Sequence, residues 1–249
     1  MRIVVIGDIH GCLEEFDELL RTLDLSGNDR VILAGDLVDR GPDSAGVVRR
    51  ARELNLECVL GNHDHKHVRW DGWEKKVAAG QAKSNPMKFD DKKKATYSAM
   101  SEEDLAWLAA LPRIIRIDGA RAVVHGGLVP NRSLDRQPKE VTMVRFVDRT
   151  KGNFVGIRSI SEQPENTVYW STVWTGPETI FYGHAVHDLV TPRVDMHDGY
   201  ECWGIDTGCV FGGHLTAAVL SSDHPEVELV QVKAKEKYWE LRPAGYGFE

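Results

Sequence analysis

Five times in this chain a short apolar run gives way at once to glycine and to side chains that bind metal, and that recurrence constrains the fold more than any other feature. Residues 3–6 lead into Gly7-Asp8-Ile9-His10-Gly11, residues 31–34 into Gly35-Asp36-Leu37-Val38-Asp39-Arg40-Gly41, and residues 58–60 into Gly61-Asn62-His63-Asp64. Further on, residues 122–124 lead into His125-Gly126-Gly127 and residues 179–182 into Gly183-His184. Between the first runs lie apolar stripes at helical spacing: Leu13, Phe16, Leu19, Leu20 and Leu23, then Val47, Val48, Ala51 and Leu54. Strand alternating with helix predicts parallel strands with helices packed on the sheet. Ligand sites in open α/β sheets form beyond the carboxyl ends of the strands, so loops from neighbouring strands converge on one place. Glycine beside each ligand lets the backbone turn sharply and the side chain reach inward.

The rest of the sequence reads as part of one domain spanning residues 1–249, without internal repeats. Residues from 65 to about 110 break the pattern: rich in Lys, Asp, Gly and Asn, with Trp70 and Trp73 on no clean period, they read as an insertion covering the site. Late in it, Ser101 and Asp104 make a capping signal for a helix through Leu105, Leu108 and Leu111 that Pro112 ends. The second half is strand-rich, with an apolar run at 215–220 and alternation at 227–232. A chain of 249 residues, 42% hydrophobic, buries roughly 70–75% of its unfolded surface and needs no disulfide scaffold. Cys12, Cys58, Cys202 and Cys209 form no C-x-x-C pair, so they read as reduced thiols of a cytoplasmic protein and not as structural zinc ligands. No apolar run approaches the roughly 20 residues of a membrane span. With 31 Lys and Arg against 38 Asp and Glu, a net charge of -7, a broad basic surface for nucleic acid or anionic lipid is excluded. Attraction for an anionic substrate must come from a local device.

The loops supply one. Asp8, Asp36, Asn62, His10, His125 and His184 offer carboxylate, amide and imidazole donors, a mixture that suits Mn, Fe, Zn, Ni or Co and not an all-oxygen calcium cage. With two ions about 3.5–4 Å apart, a shared carboxylate bridges them and a water between them ionises at neutral pH. Two such ions outweigh the charge of two aspartates and leave the site cationic. Each motif alone is weak, since a buried histidine is more often a hydrogen-bonded core group than a ligand. All five in this order are strong.

In the series G-D-x-H-G, G-D-x-V-D-R-G, G-N-H-(D/E), H-G-G and G-H, matched from Asp8 to His184, the chain resembles the calcineurin-like metallophosphoesterases of the phosphoprotein phosphatase type. Asp64, Trp170, Trp174-Thr-Gly-Pro177, Tyr182-Gly-His184 and Asp206-Thr-Gly-Cys209 are similar to the diadenosine tetraphosphate hydrolases (ApaH) and ApaH-like phosphatases, whereas protein Ser/Thr phosphatases usually carry Glu in place of Asp64. The resemblance implies an α/β (α+β) fold, a four-layer αββα sandwich of two mixed β-sheets. It assigns Asp8, His10 and Asp36 to one divalent ion, and Asp36 as bridge with Asn62, His125 and His184 to a second, Mn²⁺ being the first choice. Arg40, with its planar fork, would hold two phosphoryl oxygens. His63 would be the general acid for the leaving oxygen, with Asp64 orienting it and keeping it protonated near pH 7. Arg145 stands where relatives place a second phosphate-binding arginine, a role for which Arg158 competes; Phe211 stands where they often have Tyr. Asp206 is as well suited to a structural role as to a functional one. The other histidines, His65, His67, His187, His197 and His214, read as solvated loop positions. For Trp70, Trp73, Trp170 and Trp174, packing outweighs the alternative of stacking on an adenine.

The implied reaction is attack of a metal-bridging hydroxide on a phosphoanhydride of a small nucleotide such as diadenosine tetraphosphate. A Ser/Thr protein phosphatase of the same mechanism would need an open groove for its phosphoprotein, and the insertion argues against one. Capped RNA would offer the same pyrophosphate chemistry on a larger substrate. A scaffold that had lost catalysis would have dropped a ligand or the acid histidine, and every position is filled here.

Overall fold

In the computed structural model, which describes residues 1–156, 165–197, 199–221 and 226–241, the chain opens as β1 (Arg2–Ile6), α1 (Leu13–Leu23), β2 (Arg30–Leu33), α2 (Ser44–Glu53), β3 (Glu57–Cys58) and α3 (Asn62–Ala78). It continues through α4 (Asp91–Ala99), α5 (Glu102–Ala110), β4 (Ile114–Arg116), β5 (Arg121–Val124), β6 (Phe146–Asp148), β7 (Phe154–Val155) and β8 (Thr167–Tyr169). Then follow β9 (Thr179–Tyr182), β10 (Arg193–His197), β11 (Tyr200–Gly204), β12 (His214–Ser221) and β13 (Glu228–Lys233). Two five-stranded mixed sheets result, of order β13-β12-β1-β2-β3 and β10-β11-β9-β5-β4. In the first, β1, β2 and β3 run parallel and β12 pairs antiparallel to β1; in the second, β5, β9 and β11 run parallel.

The period-two geometry of a strand sorts the apolar runs onto two cores. Ile3, Val5 and Ile32 turn to one side, where they meet Val123, Phe181 and Ile205 and fill the space between the sheets. Val4, Ile6 and Leu33 turn to the other, against Phe16 and Leu19 of α1, Val47 and Val48 of α2, and Leu108 of α5. The outer face of the second sheet is covered differently. Val124, Ile180 and Tyr182 pack under Val141, Phe146, Trp170 and Trp174, side chains from 3-10 turns and from the three-stranded sheet β7-β6-β8. Among the described residues this outer layer is thus made of short turns and strands where the layered expectation has α-helices. Trp170 and Trp174 are fully buried in it, and the Trp174 indole donates to the Glu178 carbonyl at 2.8 Å. Neither can stack on a substrate; truncating a tryptophan so placed costs about 3–5 kcal/mol.

Helix α5 carries the expected cap, Ser101 Oγ accepting from Asp104 N (3.1 Å) and the Asp104 carboxylate from Ser101 N (3.0 Å). Helix α3 was not foreseen, because its buried positions are the polar Asn62, His63, Asp64 and His67 in place of an apolar stripe. In the same region Trp70 stacks on Phe89 with ring centroids 4.2 Å apart, and Trp73 lies under the Lys76 ammonium at 4.5 Å. After β13 the chain folds back along α1. Buried Glu15 accepts from Lys235 N (2.9 Å) and the Tyr238 hydroxyl (2.8 Å), while Tyr238 N and Trp239 N donate to the Val210 carbonyl.

Candidate metal centre

All five glycine-bearing loops leave the carboxyl ends of parallel strands, β1, β2 and β3 of one sheet and β5 and β9 of the other, and they meet at one edge of the sandwich. Asp36 is at the centre. Its ligand oxygens belong to two sets of donor atoms, one with His10 and His63 and one with His125 and His184, the atoms of each set lying within 4.8 Å of one another. One oxygen lies 3.6 Å from His10 Nε2 and the other 3.2 Å from His125 Nε2. Asp8 accepts from the His184 backbone N–H at 3.0 Å and faces His10 at 3.9 Å. Asn62 Oδ1 lies 3.1 Å from His125 Nε2. The six expected metal ligands are therefore together.

The glycines matter here by close approach. A Cβ on Gly61 would lie 2.2 Å from Asp36 Oδ1, and one on Gly183 2.0 Å from Asp8 Oδ1. Conversely, several residues of these loops hold the left-handed backbone that glycine favours: His10 (φ 47°), Asp36 (49°), Asp39 (72°), Arg40 (72°) and His184 (70°).

The donor set fits cations. His10 Nδ1 donates to the Val38 carbonyl and His125 Nδ1 to that of Ala34, each at 2.8 Å, which fixes the tautomer and turns Nε2 toward the centre. Burial, with Arg40 or Arg145 nearby, holds His10 and His184 well below the ordinary imidazole value, leaving them neutral as ligands must be. His125 Nε2 faces the acceptor oxygens of Asn62 and Asp36, an arrangement that needs a positive charge at that point. Against burial, which lowers it, Asp36 lifts the His125 imidazole above its ordinary value. Burial, then the charges of Asp206 and Asp36, pushes Asp8 well up, whereas Asp36, against its own burial, is held well below the usual carboxylate range by His125 and His63.

His63, expected as the general acid, is held by another residue than Asp64. His63 Nδ1 donates to Asp39 Oδ2 at 2.7 Å, whereas both oxygens of Asp64 accept backbone N–H groups, of Leu37 (2.9 Å) and Gly61 (3.1 Å). Asp64 thus caps α3 and ties it to the loop of Asp36; burial pushes its carboxyl up to about 7. Nor is His63 held protonated: burial pulls it down against the opposing pull of Asp36 and Asp39. His67, expected in solvent, is fully buried and donates to Asp39 Oδ1 at 2.8 Å. Burial alone would raise Asp39, but the hydrogen bonds from His63 and His67 hold it well below the usual carboxylate range.

Arg40 donates to His10 Nε2 (2.6 Å) and His63 Nε2 (3.0 Å), with its guanidinium 5.4 Å over the Phe211 ring. Arg145 is half-buried beside His184 and donates to its carbonyl at 3.2 Å; Arg158 lies outside the described residues. Asp206 accepts from Gly208 N at 2.9 Å and closes a turn. Cys12 and Cys209, both free and buried, come together with Glu15, a grouping their sequence spacing did not announce. Among the described residues no helix is long and apolar enough to cross a membrane.

Comparison with known proteins agrees with this geometry. Residues 1–215 match the calcineurin-like phosphoesterase family. The chain is 27% identical to the asymmetrical bis(5'-nucleosyl)-tetraphosphatase PrpE of Oceanobacillus iheyensis, over 96% of this chain and 94% of that one. It is 28% identical to the symmetrical bis(5'-nucleosyl)-tetraphosphatase of Chromohalobacter salexigens, over 92% and 98% of the two chains. A solved structure provisionally assigned as a diadenosine tetraphosphatase superposes with a TM-score of 0.73 at 30% identity, covering 94% of this chain and 93% of the other.

Proposed function

The chain belongs to the calcineurin-like phosphoesterases, and from that premise we propose that it is a hydrolase of dinucleoside polyphosphates such as diadenosine tetraphosphate, acting in the cytoplasm. The observation that carries the reading is Asp36, shared between two donor sets in a chain whose relatives, matched along nearly their whole length, are named tetraphosphatases. Asp8, His10 and Asp36 would hold one divalent ion and Asp36, Asn62, His125 and His184 the second, with Mn²⁺ the first choice among the Mn, Fe, Zn, Ni and Co that such mixed donors suit. Bound there, such ions lower the pKa of attacking water and offset phosphoryl charge.

The protein's own groups do the rest. Arg40 presents a planar fork to two phosphoryl oxygens. Asp39 holds the His63 Nδ1–H and with it the ring; Nε2 takes a proton from solvent as the substrate draws Arg40 away, and His63 passes that proton to the departing phosphate oxygen. Once that proton has left, the Nε2 lone pair accepts from Arg40, the contact seen at 3.0 Å. Arg40 therefore alternates between substrate and the spent acid. Arg145 adds positive charge beside His184.

Product analysis by chromatography tests the proposal, with diadenosine tetraphosphate, p-nitrophenyl phosphate and a phosphoserine peptide and with Mn, Zn, Co and Ni in turn. The expected result is a kcat/KM for the dinucleotide at least about tenfold above that for the peptide, the worth of one stacked base, and highest turnover with Mn. A better rate on the phosphopeptide would make the chain a protein phosphatase.

A further inference from the structure

Beside His63 and Arg40 lies a small pocket whose outer walls come from two regions the metal cluster does not use. Asp90, Lys92, Lys93 and Thr96, at the start of α4, form one wall and Trp239 the other. The walls touch: Lys92 Nζ lies 4.5 Å from the centroid of the Trp239 ring. Trp239 is held in place from behind, through its backbone bond to Val210 (2.9 Å) and the anchoring of Tyr238 on Glu15. The cavity is about 50 Å³ and partly open to solvent, far below the roughly 300 Å³ at which pockets for organic ligands begin. On the indole, Lys92 stands where a base would stack. A cation–π contact at an exposed site is weak, and parting it frees an ammonium group and an indole face together.

The charges facing the pocket are those of Arg40, Lys92 and Lys93 against Asp39 and Asp90. Both carboxylates are already engaged. Asp39 accepts from His63 and His67, and Asp90 caps α4, accepting Lys93 N at 2.8 Å and Lys93 Nζ at 3.1 Å. The pocket is left cationic toward an anion coming from the metal side. Its aromatic face is half-exposed Trp239, whereas Trp70 is covered by Phe89.

We propose that Lys92, Lys93 and Trp239 form the subsite for the part of the substrate beyond the attacked phosphorus, the two ammonium groups holding its polyphosphate chain and the indole face taking its base. This rests on the dinucleotide reading above. It assigns the choice of substrate to α4 and to the C-terminal segment, neither of which bears a metal ligand.

Inhibition of p-nitrophenyl phosphate hydrolysis, measured in excess metal, tests the subsite without requiring that a dinucleotide be cut. For inorganic tripolyphosphate, the Lys92→Ala/Lys93→Ala double variant should raise Ki roughly 10- to 100-fold, as expected for losing two charge-assisted contacts. Arginine at both positions should restore most of the inhibition. Metal chelation by the inhibitor acts equally on all variants, so only the difference between them is read. Trp239→Ala should raise Ki for ATP by roughly 5- to 150-fold, the range for one base stacked on an aromatic, and should do so far less for tripolyphosphate; Trp239→Phe, which keeps a stacking face and guards against misfolding of the alanine variant, should retain most of the ATP affinity. Unchanged tripolyphosphate inhibition in the double lysine variant overturns the subsite, and so does an equal effect of Trp239→Ala on both inhibitors. If diadenosine tetraphosphate is not hydrolysed while tripolyphosphate inhibition still depends on the lysines, the substrate reading falls and the phosphate-holding subsite stands; if it is hydrolysed and neither Ki moves, the subsite alone falls.

Discussion

The metal cluster and the mouth of the pocket beside it are built in opposite ways. The cluster draws each side chain from a loop at a strand end, fixes His10, His125 and Asp8 by bonds to backbone, and buries all of them but half-buried His184. The mouth sets a surface helix beside a chain segment near the C-terminus, with exposed Lys92 over half-exposed Trp239. Preorganised groups of the first kind serve chemistry, because they need not move as charge develops on phosphorus. Loosely joined groups of the second kind can part and re-form, and so can admit one substrate and refuse another. Reaction and selection are thus separable here.

Variants can break that separation, and the largest effect belongs to the cluster. Asp36→Asn should lose metal and activity together, with turnover down by about 10⁴-fold or more on every substrate, since a bridging carboxylate underlies several kcal/mol of transition-state stabilisation. Elemental analysis of the purified variant alongside its kinetics checks this, and normal metal content with near-normal turnover would refute it. His63→Asn should keep its metals and cut kcat by about 10² to 10⁴ on a phosphoanhydride. The loss should be smaller on p-nitrophenyl phosphate, whose leaving group scarcely needs a proton; equal losses would remove His63 from the role of acid.

Asp39→Asn should cost roughly 10- to 100-fold in kcat, as for a residue that orients a reacting group, with the same dependence on leaving group as His63→Asn. Combined with His63→Asn it should add little, because two residues that act as a unit are not additive. Asp64→Asn sharpens the contrast. It should lower stability by about 1–3 kcal/mol, the cost of leaving a buried N–H without its acceptor, and thermal melting would show that shift without any leaving-group dependence in the kinetics. Smallest of all, Trp70→Ala should cost on the order of 1 kcal/mol through its stack on Phe89 and leave the ratio of dinucleotide to p-nitrophenyl phosphate turnover unaltered. A change in that ratio would mean that the insertion selects substrate through Trp70 after all.

The cluster was legible because each ligand stands in a short motif directly after an apolar run, so local order along the chain already implied the convergence. The partner of His63 was not. Adjacency in sequence favoured Asp64, but α3 begins at Asn62, and on a helix neighbouring residues point about 100° apart while residues four apart share a face. His63 and His67 are such a pair, and both reach Asp39. A helix behind the polar stretch sets Asp64 aside and puts His67 beside His63, while Asp39 comes from the loop after β2 and only the fold brings it there. The stretch escaped because a helix lining an active site buries polar groups and shows no apolar period. Lys92 and Trp239 had no signal at all, since they meet only through the folding back of the segment after β13 onto Glu15 and Val210. Strand alternation likewise announced the second sheet but not the turns and short strands that cover its outer face.

The left-handed backbone at His10, Asp36, Asp39, Arg40 and His184 has a bearing on the chain's stability. Each such residue costs roughly 1 kcal/mol or more that glycine would not, and together they approach the 5–15 kcal/mol by which an ordinary domain is stable. The turns that aim these side chains at one point are thus set against the stability of the fold that holds them.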